Sequence, residues 1–272
     1  MANASVRTPA VAGAFYPADP RVLLSMIGEM LTRAVPLDEA PPPKALIVPH
    51  AGYIYSGPVA ASAYAGLARL REIVRRVILL GPNHRVALGG MALPASLVFS
   101  TPLGEVEVDR EHWQRLQQRP DVVVDDHPHA MEHSLEVHLP FLQAVLNHFT
   151  LTPLVVGDTP PEQVAALLEE VWGGPETLIV VSSDLSHYQP YHQAQWCDRS
   201  TVDQILHLDA TLDHQQACGA TSVNGLLRAA RRHHLEPHLL DLRNSGDTSG
   251  DRQRVVGYAS VALCEKLPHV HH

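Results

Sequence analysis

The stretch Val77-Ile78-Leu79-Leu80-Gly81-Pro82-Asn83-His84, "VILLGPNH", decides the fold. Four aliphatic residues in a row, with no polar alternation, describe a strand buried on both faces. That is what a sheet covered by helices on each side demands. A Gly-Pro turn stops the strand and delivers a histidine. The same event occurs earlier as "ALIVPH", ending at His50, and later as "LIVVSSDLSH", ending at His187.

Outward from these strands the chain alternates. Asp19 suits a helix N-cap and Pro20 the first helical position, after which Leu23, Ile27, Met30 and Leu31 recur at helical spacing. "PPP" at 41–43 is a rigid connector into a strand at 44–48, and Pro58 is expected to open a small-residue helix, "PVAASAYAGLARL". "LVFSTPLGEVEVD" reads as a hairpin, because Val106 and Val108 alternate with Glu105 and Glu107. Helices are expected at 109–119, from about Ser134 to His148, and at 160–172. Strands are expected at 122–124, at "LTPLVVGD" and at 177–182, followed by a long helical region and the strands "HLLDL" and "VVGYASVAL". Short apolar strands alternating with helices predict α/β architecture, an αβα sandwich around a mostly parallel or mixed sheet. With no internal repeat and no dividing linker, a single domain over 1–266 is expected, with a disordered His-rich tail at 267–272.

Composition narrows the function. The 272 residues are 45% hydrophobic but only 5% aromatic, so the core is aliphatic. A formal charge of −9 argues against nucleic acid as a partner, since backbone binding needs a clustered basic face. The one basic cluster, "RAARRHH" at 228–234, reads as the solvated side of a helix. Three widely spaced cysteines without a C-x-x-C pair imply a reducing compartment. No signal peptide and no apolar run near the ~18 residues that span a bilayer are present, so the expectation is a cytoplasmic protein with no membrane partner.

Ligands of open α/β sheets bind outside the carboxyl ends of the strands. His50, His84 and His187 all lie just past such ends. If their strands are neighbours, the three imidazoles converge, suited to metal ligation or proton transfer. Pro49 and Pro82 restrict the backbone before His50 and His84. Asp184, three residues before His187, can orient a ring or ligate. A second dense region, "HPHAMEHSLEVHLP" at 127–140, holds Glu132, His133, Glu136 and His138. It is not H-E-x-x-H, and a supporting or pocket-lining role is the preferred reading. The polar loop "NSGDTSGD" at 244–251 can line the same mouth. Cys197 and Cys264 read as small apolar residues. Cys218, in "ACGATSVNG" just before a helix, sits where a thiol becomes a better ligand or nucleophile. No G-x-S-x-G elbow, P-loop or dinucleotide fingerprint is present.

"PHAGYIYSG", "LLGPNH", "EHSLEVHLP" and "VVSSDLSHY", in this order, resemble the Memo family, also labelled component B of the AmmeMemoRadiSam system in microbes. The early "AGAFYPADP" fits the same family. That family in turn resembles the class III extradiol dioxygenases, with an α/β fold and a non-haem iron site. The resemblance implies a metal on His50 and His84 with Cys218 as third ligand, and His187 as acid–base group with Asp184 close by. After Cys218 this chain reads Gly-Ala-Thr-Ser-Val where many members carry Gly-Pro, a departure from the family pattern at Ala220.

Two histidines with one anionic ligand leave open metal positions, as in non-haem Fe(II) oxygenases, while a thiolate favours copper or zinc. Three readings follow. One is a redox-active metalloprotein holding Fe(II) or copper, an oxidoreductase of dioxygenase type acting on an unknown small molecule. Another is a non-catalytic module that binds a peptide or protein in a vestigial pocket. The third is a zinc-dependent hydrolase. The family label also implies a radical SAM enzyme system as partner.

Overall fold

The computed structural model describes residues 5–35, 41–248 and 250–265; the His-rich tail at 267–272 lies outside them. Strand β1 (Val6–Arg7) precedes helix α1 (Pro20–Arg33), which starts as its sequence requires, with the Asp19 carboxylate accepting from the amides of Arg21 and Val22. Strand β2 (Pro43–Val48) leads into α2 (Tyr53–Tyr64) and a 3-10 turn at Ala65–Leu70. After β3 (Arg76–Pro82) come β4 (Met91–Leu93), β5 (Val98–Thr101), β6 (Gly104–Glu107), α3 (Arg110–Leu116) and β7 (Val122–Val124). The histidine-rich segment forms α4 (His127–Ala130), a 3-10 turn at Glu136–His138 and α5 (Leu139–Val145). Then follow β8 (Thr150–Val156), α6 (Pro161–Glu170), β9 (Thr177–Ser182), β10 (His187–Gln189) and α7 (Tyr191–Leu206). The described chain closes with α8 (Ala220–Arg232), β11 (Glu236–Asn244), α9 (Ser245–Thr248) and β12 (Val255–Cys264).

Nine strands make one mixed sheet in the order β10-β12-β2-β9-β3-β8-β4-β7, with β11 also paired to β12. Its centre, β2-β9-β3-β8, is parallel, while β12 runs antiparallel to β2 and β4 antiparallel to β8. A separate three-stranded sheet joins β1, β5 and β6, and the predicted hairpin is its β5–β6 pair.

The pleat divides the core. Leu46, Leu79 and Val180 face one side, packed with Leu23 of α1, Tyr64 of α2 and Phe141 of α5. Their neighbours Ile47, Ile78 and Ile179 face the other side, packed with Leu167 of α6 and Leu226 of α8. Both faces are therefore covered, which is why these strands are aliphatic throughout. Each such side chain contributes about 1.5–3 kcal/mol on burial. The basic cluster of α8 pairs instead with α6: Arg228 with Glu162 at 3.1 Å, and His233 with Glu169 at 2.8 Å.

Two helix starts differ from expectation. Pro58 lies inside α2, which begins earlier at Tyr53. The start is fixed by tertiary contact, since the Tyr53 amide donates to Phe15 O at 2.8 Å and Gly52 O accepts from Tyr55 and Ser56. A single helix over 134–148 does not form either. Glu136 is drawn off to the N-terminal segment, and the regular α-helix begins only at Leu139, with Pro140 in its first turn. The shorter β10 also interrupts the helical region expected after 182.

Candidate metal centre

β2 and β3 flank β9, so the three strand ends that carry the histidines are adjacent. His50 follows the end of β2 and is buried. Its amide donates to Asp184 Oδ1 at 2.7 Å, and its Nδ1 lies 2.6 Å from Ser182 Oγ, the last residue of β9. His84 follows the end of β3. Its amide donates to Glu132 Oε2 at 2.7 Å and its Nδ1–H to Oε1 at 3.0 Å. The turn holding Glu132 presses against β3. A Cβ on Gly81 would lie 2.6 Å from Ser134 Oγ, and that hydroxyl donates to Pro82 O at 2.9 Å. Glu132 Oε1 also accepts the amides of His133 and Ser134, both at 2.9 Å, which turns His133 toward the strand ends.

One ligand nitrogen each from His50, His84 and His133 comes within 4.8 Å of the others. Their ring centroids are 5.2 Å, 5.4 Å and 4.9 Å apart. His84 and His50 are both held through Nδ1, which leaves Nε2 for another partner in each; Glu132 Oε1 also stands 3.3 Å from His133 Nδ1. Burial holds the His50 pKa well below its ordinary value, and burial pulls His133 down to about 4. These imidazoles are neutral at physiological pH, the form that ligates metal. Burial alone would raise the Glu132 carboxyl. Hydrogen bonds and charge from His84, with the Ser134 amide, outweigh that and hold it at about 2. Imidazole donors backed by an ionised carboxylate fit a divalent transition metal, because such a partner fixes ring orientation and raises basicity.

The other residues singled out from sequence reach the same mouth. His187, in β10, lines the cleft beside His50, His84 and Asp184, and burial lowers its pKa. Burial raises the Asp184 carboxyl to about 7; its Oδ2 stands 4.0 Å from His50 Nε2. Cys218 Sγ lies 3.4 Å from His50 Nε2 and accepts the Asp184 amide at 3.3 Å. Burial, reinforced by the Asp184 carboxylate, pushes its thiol up to about 12. Gly219 permits this approach: a Cβ there would meet Ser182 O at 2.6 Å. All three cysteines are free thiols.

His133 joins the histidine cluster, although the sequence pointed to a supporting role for its region. Glu136 and His138 do not. Glu136 accepts from the amides of Ala10 and Val11, from Arg7 and from Tyr16, and His138 bonds to Tyr64 and Ser182. Ser182 itself escaped the sequence reading; its only signal is a polar residue directly at the end of an apolar strand.

The cluster opens into a cleft of about 790 Å³. Phe15, Ile54, Tyr55 and Tyr188 supply apolar and aromatic wall, Arg85 and Arg254 two cations. Ser245, at the start of α9, and Asp251 also line it, so the polar stretch after β11 supplies two residues to the mouth. Among the described residues, no helix is long and apolar enough to cross a membrane.

An α/β sheet with a histidine cluster at the carboxyl ends of its parallel strands defines the class. The chain belongs to the family described as Memo-like protein, whose sequence pattern matches residues 7–262. It is 35% identical to a MEMO1 family protein of Sulfolobus acidocaldarius, covering 94% of this chain and 98% of the relative. It is 37% identical to MEMO1 family proteins of Aquifex aeolicus, covering 94% and 98%, and of Aeropyrum pernix, covering 95% and 99%. A crystal structure of an uncharacterized protein from Escherichia coli K12 shares the fold, with a TM-score of 0.51 at 13% identity over 80% of this chain and 98% of the other.

Proposed function

We propose that this chain binds one transition-metal ion at the mouth of its sheet, on His50, His84 and His133 with Cys218 alongside, in a redox site of the extradiol-dioxygenase type. The observation that carries this is the convergence of three imidazoles on one point, two of them held through Nδ1 so that Nε2 is left to ligate. Imidazole donors suit iron, copper and zinc alike. The Cys218 sulfur favours copper or zinc, and the family resemblance favours iron. A bound iron or copper would supply a Lewis acid and a one-electron redox centre. His187, lining the cleft, is placed to accept or donate a substrate proton. Asp184 keeps His50 in place through its amide. The aromatic wall binds the substrate, a small molecule or a peptide side chain, and excludes water from the histidines. The resemblance adds a radical SAM enzyme system as partner.

The test is metal content by mass spectrometry of protein purified without oxygen, beside a His50→Ala/His84→Ala variant. About one iron or copper per chain, lost in the variant, supports the reading; oxygen uptake with catechol-like compounds then tests the dioxygenase chemistry. Zinc with ester or amide turnover points to the hydrolase instead. No metal after anaerobic reconstitution, with peptide binding intact in the variant, sinks the enzyme and leaves a binding module.

A further inference from the structure

Behind His50 lies a buried group that the function above does not use. Ser182 is fully buried, and its single hydroxyl has three partners: Ser134 O at 2.6 Å, His50 Nδ1 at 2.6 Å and His138 Nε2 at 2.9 Å. A hydroxyl has one proton and two lone pairs. A carbonyl oxygen only accepts, so the proton goes to Ser134 O. Both lone pairs must then accept, and each imidazole must bring a proton to Ser182. His50 is thereby fixed with its proton on Nδ1, and His138 with its proton on Nε2. The far side of His138 agrees, because its bare Nδ1 can accept from the Tyr64 hydroxyl at 2.8 Å. The far side of His50 agrees too, because its bare Nε2 can accept a hydrogen bond from the Cys218 thiol across 3.4 Å.

We propose that Ser182 is the positioning residue of the metal site: by accepting from both rings it sets the tautomer of His50 and presents the Nε2 lone pair to the ion. This rests on the metal-site reading above. The opposite tautomer would aim an N–H at the ion and remove one donor. Among the described residues, Ser182 Oγ is the hydrogen-bond partner of His50 Nδ1 and so holds the proton there. The serine also links His50 through His138 to Tyr64, so a run of buried side chains from α2 to the strand end is locked in one pattern of donors. Partners of this kind, one bond removed from a metal, typically alter affinity 10–100-fold.

Two measurements test it. Long-range nitrogen–proton NMR of metal-free, ¹⁵N-histidine-labelled protein reports the tautomer, with His50 assigned by its absence from a His50→Gln variant. A protonated Nδ1 and a bare Nε2 on His50 are expected. Zn(II) and Fe(II) affinity by competition with a chelator is then compared for wild type, Ser182→Ala and Ser182→Thr. Ser182→Ala should bind 10–100-fold more weakly and show His50 shifting toward the Nε2–H form, and Ser182→Thr, which keeps the hydroxyl, should recover most of the loss. A wild-type protein that binds metal with His50 in the Nε2–H form overturns the role of Ser182, as does unchanged affinity in Ser182→Ala. A wild-type protein that binds neither ion overturns the metal reading instead. If Ser182→Ala does not fold, the wild-type tautomer decides alone.

Discussion

Glu132 does with one carboxylate what the strands alone cannot. Its Oε2 pins the backbone of His84, and its Oε1 takes the His84 ring together with the amides of His133 and Ser134. Glu132→Gln keeps one carbonyl oxygen for the two amides but offers an N–H where the His84 amide needs an acceptor, and it removes the charge. Metal affinity should fall about 10–100-fold with little loss of folded structure; titration against a coloured chelator reads the affinity, and circular dichroism the fold. Equal affinity in the variant would mean that the carboxylate does not tune the site. Gly81 poses a purely steric test. A methyl there would lie 2.6 Å from Ser134 Oγ and 2.8 Å from Leu135 Cδ2, so Gly81→Ala must move the turn that carries His133. Overpacking of this kind costs about 1–3 kcal/mol, measurable by urea unfolding, and metal affinity should drop with it. His50 and His84 were legible in the sequence because each follows its strand within a few residues, and the strand's direction fixes where it lands. His133 was not, because its position depends on Glu132 folding back onto His84, a contact between residues 48 apart that no periodicity encodes.

The elements around the site are held by a clasp. Arg7 of β1 is buried against Glu136, in the 3-10 turn, and its guanidinium also donates to His129 O at 3.1 Å and Glu132 O at 2.6 Å. Glu136 answers with the amides of Ala10 and Val11, so the N-terminal segment is laced to the turn that presents His133. Glu136→Ala leaves an uncompensated buried guanidinium, which costs about 3–5 kcal/mol. Urea unfolding should show that loss. Because Arg7 also holds the Glu132 carbonyl, the metal site should loosen in the same variant. A stability change below about 1 kcal/mol would show that water replaces the carboxylate, as for an exposed pair. The clasp also explains the limits of the sequence at this scale. Strands buried on both faces announce themselves by composition, so β2, β3, β8 and β9 were all placed from it. Helix starts depend on which backbone and side-chain groups find distant partners. Ahead of α2 the partner is Phe15 O, 38 residues back, and ahead of α5 it is the N-terminal segment. Proline at position 58 looked like a start signal because its local preference is real, and a tertiary hydrogen bond overrode it.

Across the whole molecule, the abundance of histidine has a consequence for stability. Burial, the first cause in each case, pulls His129 and His133 down to about 4 and His138 to about 3, and it lowers His50, His112 and His187 as well. In the unfolded chain each titrates near 6.5. Below that pH the unfolded state takes up protons that the folded state refuses. The stability is therefore whole above about pH 6.5 and drains away as pH falls, each group contributing about 1.4 kcal/mol per pH unit. His129, His133 and His138 together contribute about 4 kcal/mol per unit, against a typical total of about 5–15 kcal/mol. Two carboxyls oppose them. Burial raises Asp184 to about 7 and Asp198 to about 6, so the folded state holds their protons to higher pH and gains stability as the solution becomes acid. Six histidines outweigh two carboxyls, and the metal-free protein should lose stability from about pH 6.5 and unfold before its buried imidazoles charge in place. Asp198 lets the balance be tested. Its Oδ1 accepts the Ser186 amide at 3.0 Å, a bond that the oxygen of asparagine can keep. Asp198→Asn should be more stable than wild type at pH 7.5, where a buried ionised carboxylate has been removed, and should lose stability more steeply below pH 6, where its opposing contribution is gone. Urea unfolding at half-unit steps from pH 8 to pH 4 measures both slopes. A wild-type curve flat down to pH 5 would mean that these imidazoles take up protons without leaving the folded state.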